Sequence, residues 1–205
     1  MTPTGLFRIA SFLAFPFTLA GVTFLLLAAL QALAVRAPQR ARLLVSWAAA
    51  AVALYTALLV GVSLASTERV LEPGVEKRFC GLDCDLAVSV TGLIPANATA
   101  AGARAFYVKL HVRNNGRRAL IMPSSMRAWL VSADRHTFDP AGGRGMRFMA
   151  PISPGSRVGI SIRFEVPAAA RDLRVMVTEG GPMTRLLIGD ENSFLHRKTE
   201  LRLPS

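Results

Sequence analysis

A chain of 205 residues that is 52% hydrophobic, with a mean hydropathy of +0.39, is too apolar for a soluble globular protein of ordinary composition. Its formal charge of +11, from 24 basic and 13 acidic side chains, suits anionic headgroups or nucleic acid, or else merely keeps an Arg-rich surface solvated. Only three His occur, His111, His136 and His196, without an HExxH or CxxCH pattern, a Gly-rich phosphate loop or a nucleophile elbow, so the composition argues against an enzyme.

The apolar excess is concentrated at the start. Residues 9–35 form a run of 27 without a charge and residues 43–65 a run of 23. Each exceeds the roughly 20 residues that cross about 30 Å of hydrocarbon, and such Leu-, Ala-, Val- and Phe-rich runs satisfy their backbone in lipid as helices. Residues 1–66 are therefore predicted to be a membrane anchor of two transmembrane helices, about 9–35 and 43–65. Ala32-Leu33-Ala34 has the small residues of a signal-peptidase site, but the run before it is far longer than the roughly 7 to 15 residues of a cleavable apolar region. Pro16 is expected to kink or shorten the first helix.

Between the runs, Arg36, Arg40 and Arg42 stand without an acid, which marks this loop as cytoplasmic by the positive-inside rule and puts both chain ends outside. Arg8, Arg69, Lys77 and Arg78 pull the other way. Trp47 suits an interfacial anchor in either orientation.

Residues 67–79 are polar and charged and read as a juxtamembrane linker, with a soluble domain at 80–205. Phe106, Val108, Leu110 and Val112 alternate with polar neighbours, the pattern of a half-buried strand. Asn114-Asn115-Gly116 then reads as a turn able to hold positive φ, with residues 119–122 returning as the second arm of a hairpin. Val158, Ile160, Ile162, Phe164 and Val166 alternate in the same way, as do Leu173, Val175 and Val177, and residues 87–93 and 129–133 are further strands. Several short strands without a helical period predict an antiparallel two-sheet β-sandwich, and the 139 residues that follow residue 66 suffice for its core.

The succession of the 106–116 strand and turn, Trp129-Leu130-Val131, Asp134, Phe138, Pro154-Gly155-Ser156 and the 158–167 strand resembles the immunoglobulin-like extracytoplasmic domains of unknown function in bacterial lipoproteins and membrane-anchored proteins. The resemblance covers about residues 84–178 and implies an all-β, immunoglobulin-like sandwich outside the cytoplasmic membrane, without catalytic residues. Phe79-Cys80-Gly81-Leu82-Asp83-Cys84 and the 186–193 stretch look like a membrane-anchored subgroup. In that subgroup a His is expected after the second Cys, where this chain has Asp85.

Cys80 and Cys84 are the only cysteines. In an oxidising compartment they are expected to pair, provided the segment bends. A straight strand would hold their Cα atoms roughly 13 Å apart, beyond the roughly 4.4 to 6.8 Å of a disulfide. Free thiols, or a soft metal such as copper held by both sulfurs with Met122, Met126, Met146 or Met149, are the alternatives. Asp190-Glu191-Asn192 lacks the alternating ligand spacing of a calcium loop and reads as a polar turn or helix start. Residues 139–156, at 18 residues, exceed an ordinary connection and carry Arg144, Met146, Arg147, Phe148 and Met149, which either dock onto a partner or headgroups or fold over one end of the sandwich. His111 falls on the polar face of its strand.

The chain is thus expected to be a multi-pass protein of the cytoplasmic membrane, displaying a non-catalytic binding or assembly module to another envelope protein or component and binding no nucleic acid. A copper or thiol redox module using Cys80 and Cys84 is the rival from another class. Inverted topology would make the domain a cytoplasmic binder of polyanions.

Overall fold

The computed structural model describes residues 3–79, 85–117, 120–141 and 151–204. It divides the chain into a helical unit, Met1–Ser66 with Pro182–Arg197, and a β unit, Thr67–Gly181 with Lys198–Ser205.

In the helical unit, α1 (Pro3–Ala34) and α2 (Pro38–Leu64) form an antiparallel pair. The chain reverses within residues 35–37, where Arg36 takes φ 56°, and Pro38 opens α2 at a position where its missing N–H costs no helical bond. Ala29, Ala32 and Ala41 pack together near this reversal, small side chains that let two backbones approach closely. Pro16 lies within a continuous α1. Both helices are long and apolar enough to cross a membrane.

The β unit is a sandwich. One sheet has the order β2 (Lys77–Phe79), β3 (Leu86–Ala96), β4 (Ala103–Asn114), β7 (Arg157–Pro167), all antiparallel. The other runs β1 (Arg69–Leu71), β9 (Thr199–Arg202), β8 (Arg174–Thr178), β5 (Arg127–Val131), β6 (Thr137–Phe138). Alternation decides which side chains face inward. Val108, Leu110 and Val112 of β4 and Ile162, Phe164 and Val166 of β7 are buried, and they join Leu130, Val175, Val177 and Leu201 of the opposite sheet in one core. The bulge between Val90 and Gly92 shifts the β3–β4 register by one residue.

Three expectations are corrected here. The segment read as a linker, 67–79, contains β1 and β2, and Pro182–Arg197, assigned to the sandwich, groups with the helices. The hairpin after Gly116 does not form: β3 and β7 already occupy both edges of β4, and Ile121 makes only an isolated bridge to Ile152 before Pro123. Gly116 is not among the residues of positive φ.

Two buried charges are built into the sandwich. Lys77 is 3% exposed, and its Nζ donates to the carbonyls of Val177 at 2.7 Å and Thr199 at 3.0 Å while lying 5.2 Å from the Phe79 ring centroid. A β2 side chain therefore ties its own sheet to β8 and β9 of the other. Glu200 on β9 is held by Arg135 at 2.9 Å and Arg174 at 3.0 Å, and both arginines also pair with Glu68 just before β1. Lys77→Met keeps the stem but removes the charged donor, and should destabilise the sandwich by roughly 2 to 3 kcal/mol. Chemical denaturation of the full chain in detergent, followed by Trp129 fluorescence in a Trp47→Phe background, measures this.

Candidate interaction surfaces

Cys80 and Cys84 lie outside the described residues, as do Arg144, Met146, Arg147, Phe148 and Met149. Their flanks are described, and two of these meet the Asn114–Gly116 turn. Asn114 has no exposed surface; its Nδ2 donates to the Ile152 carbonyl at 2.9 Å and its Oδ1 accepts from the Gly116 amide at 2.8 Å. Its backbone bonds Gly155 and Ser156, and the next amide, that of Asn115, donates to the Asp85 carbonyl at 2.5 Å. The chain leaving the Cys80–Cys84 segment, the Asn-Asn-Gly turn and the far flank of the long loop thus meet at one end of the sandwich. The near flank lies elsewhere, with the Ala141 amide bonded to the Arg163 carbonyl at 2.8 Å along β7.

Gly116 is required there by space. A Cβ on it would stand 2.7 Å from an Asp85 carboxylate oxygen and 2.9 Å from Asn114 Oδ1.

The other singled-out residues separate. His111 sits on the outward side of β4 between Ser89 and Gly159. His136 pairs with Asp134 at 3.2 Å in an exposed turn, and Ser132 donates to the same Asp134 side chain. His196 Nδ1 lies 2.8 Å from the Arg197 carbonyl in the helical unit. Asp190 Oδ1 accepts from the Asn192 amide at 2.7 Å, which closes a polar turn. Met126 is fully buried in the core, whereas Met122 is 57% exposed. Among the described residues no group of three or more His, Cys, Asp or Glu could hold a metal.

What the sandwich presents is the outward face of β3, β4 and β7. In register across it stand Ile94, Tyr107 and Arg163, then Gly92, Lys109 and Ser161, then Ser89, His111 and Gly159, with Arg113 opposite Arg157. It is a basic face with an aromatic and an aliphatic side chain at one end. Glu165 is the acid within it, and it is engaged by the β3–β4 loop: its carboxylate accepts from the Thr99 amide at 2.9 Å, the Thr99 hydroxyl at 2.7 Å and the Ala100 amide at 2.8 Å. Arg163, 3.5 Å from Glu165, donates to the Asn97 carbonyl at 2.9 Å. These bonds, the Thr99 side chain first among them, hold the Glu165 carboxyl below the usual range.

No protein-family model matches the chain, and no curated protein matches it significantly. Three solved structures align with it. An uncharacterized β-sandwich protein from Clostridium difficile 630 is 8% identical, covering 68% of this chain and 96% of its own, with a TM-score of 0.40. A secreted protein from Mycobacterium tuberculosis is 15% identical, covering 67% and 99%, with a TM-score of 0.44. A Bacillus subtilis protein is 10% identical, covering 65% and 99%, with a TM-score of 0.40. At TM-scores under 0.5 none of them carries an argument about what this chain does.

Gly116→Ala should cost about 1 to 3 kcal/mol, because Asn114 and Asp85 must give way in a packed corner; thermal unfolding of the purified chain reads this. A depressed folded pKa means that the Glu165 contribution is present above the unfolded carboxylate value and lost as pH falls through the folded one. Hydrogen exchange of residues 97–102, corrected for its intrinsic pH dependence, should therefore speed up in acid. Glu165→Gln should abolish that pH dependence.

Proposed function

We propose that the protein is anchored in the cytoplasmic membrane by α1 and α2 and displays its sandwich outside as a non-catalytic binding or assembly module. The observation that carries this reading is the exposure of the helices. Only 6% of the most apolar stretch of α1 and 11% of that of α2 are buried. A core helix of a soluble protein buries such a face, whereas these present Phe17, Phe24, Trp47 and Leu54 at more than 60% exposure. Lipid is the solvent that removes the cost. The arginines at 36, 40 and 42 favour the reversal on the cytoplasmic side.

A partner in the envelope would meet the outward face of β3, β4 and β7. Its arginines, Lys109 and Tyr107 suit an anionic protein or envelope component.

Asn97→Cys, in a background with Cys80 and Cys84 changed to Ser, places one thiol on the exposed β3–β4 loop. It should react with a membrane-impermeant maleimide in intact cells whose outer layer admits the reagent. Reaction only after lysis would reverse the topology and turn the basic face toward cytoplasmic polyanions.

A further inference from the structure

Pro182–Arg197 belongs to the helical unit although it is separated from α2 by the whole sandwich. Three contacts set its path along α2. The Tyr55 hydroxyl donates to the Leu186 carbonyl, the Ser63 and Ser193 hydroxyls bond at 3.1 Å with both residues buried, and the Arg197 amide donates to Ser66 Oγ at 2.8 Å. The segment begins with a short 3-10 turn, Pro182–Leu186, and from Leu186 rises beside α2 to its end.

Its depth follows from the register of the helices. The Phe15 and Tyr55 rings meet with centroids 6.2 Å apart, so in the antiparallel pair Arg8 is about level with residue 62. From that level Tyr55 lies about seven residues toward the middle of the pair, roughly 10 Å at 1.5 Å per residue. The charge-free run starts just after Arg8. Leu186 thus sits beside the stretch of α2 that would lie in hydrocarbon.

Several of its amides bond within the segment: Leu187 to Thr184, Asp190 to Leu187, Ser193 to Asp190, Phe194 to Arg185 and His196 to Ser193. The Asn192 amide closes on Asp190 Oδ1. Non-helical backbone at membrane depth survives only when its polar groups are satisfied in this way. Outward it shows Met183, Phe194 and Leu195, at 66%, 54% and 63% exposure, together with the exposed Arg185 and Arg197. Leu195 adopts φ 63°, a costly conformation for a bulky residue.

We infer that Pro182–Arg197 is an interfacial segment of the outer leaflet seated against the end of α2, deepest at Leu186, with lipid as its partner: the upper acyl chains for Met183, Phe194 and Leu195 and the headgroup phosphates for Arg185 and Arg197. The inference rests on α1 and α2 spanning the membrane. Its test keeps the two apart. The full chain, with Cys80 and Cys84 changed to Ser, is reconstituted in liposomes of phosphatidylcholine and phosphatidylglycerol and labelled with NBD at one thiol: Leu195→Cys, Phe194→Cys, Leu54→Cys within α2, or Asn97→Cys on the sandwich. Lipids carrying a doxyl group on the acyl chain should extinguish the Leu195, Phe194 and Leu54 labels and leave the Asn97 label bright. Quenching at Leu54 with none at Leu195 and Phe194 overturns the interfacial segment while the spans stand, whether aqueous iodide reaches those labels (a wet surface) or not (a protein cover). Absence of doxyl quenching at Leu54 as well removes the spans and the inference with them.

Discussion

One sequence offset organises both units: within each, an earlier stretch pairs with a stretch near the C-terminus at a nearly constant separation in sequence. Tyr55 bonds to Leu186 at a separation of 131, Ser63 to Ser193 at 130, Ser66 to Arg197 at 131, and Glu72 to Arg202 at 130. Between them, Arg69, Val70 and Leu71 pair in register with Thr199, Glu200 and Leu201. In the helical unit one of the paired stretches is a helix; in the β unit both are strands. Parallel pairing needs a long crossover, and here the intervening chain, which forms nearly all of the sandwich, supplies it.

This pairing explains where the sandwich places its charges. Glu68, at the start of the paired stretch, and Glu200, inside it, share Arg135 and Arg174, so the β5–β6 turn and β8 are fastened to the same seam. Glu200 is the buried member, 3% exposed, whereas Arg135 is 62% exposed, so removing both arginines would leave a buried carboxylate without compensation. Lys77 works from the opposite sheet on the same neighbourhood, through the carbonyl of Thr199. The apolar core fills the space between the sheets, and these ion and hydrogen-bond contacts fix which strands border it.

Legibility from sequence followed the range of the interactions. β4 and β7 are long, one face in and one face out, so period-two alternation reveals them; Phe106 through Val112 and Val158 through Val166 lie where that pattern puts them. β1, β2 and β9 are three or four residues long, and β1 is fixed by a parallel partner 130 residues away, beyond any local period. Asn114-Asn115-Gly116 carries the composition of a hairpin turn, but neighbours from Asp85 and Ser156 determine its conformation. The ion cluster at positions 68, 135, 174 and 200 has no spacing that announces it. The two apolar helices were legible because lipid-length runs need no partner to be recognised. Pro182–Arg197 was not, because its relation to α2 lies in single hydroxyl contacts.

The polypeptide passes between its two units after Ser66, after Gly181 and after Arg197. A protease that nicked the chain between Ser66 and Thr67 would consequently not shed the sandwich. The sandwich would remain joined to Pro182–Arg197, which Tyr55, Ser63 and Ser66 retain. A second cut after Gly181 would still leave β9 inserted between β1 and β8. Release of the sandwich takes cleavage at all three crossings, or the withdrawal of a strand from the interior of a sheet.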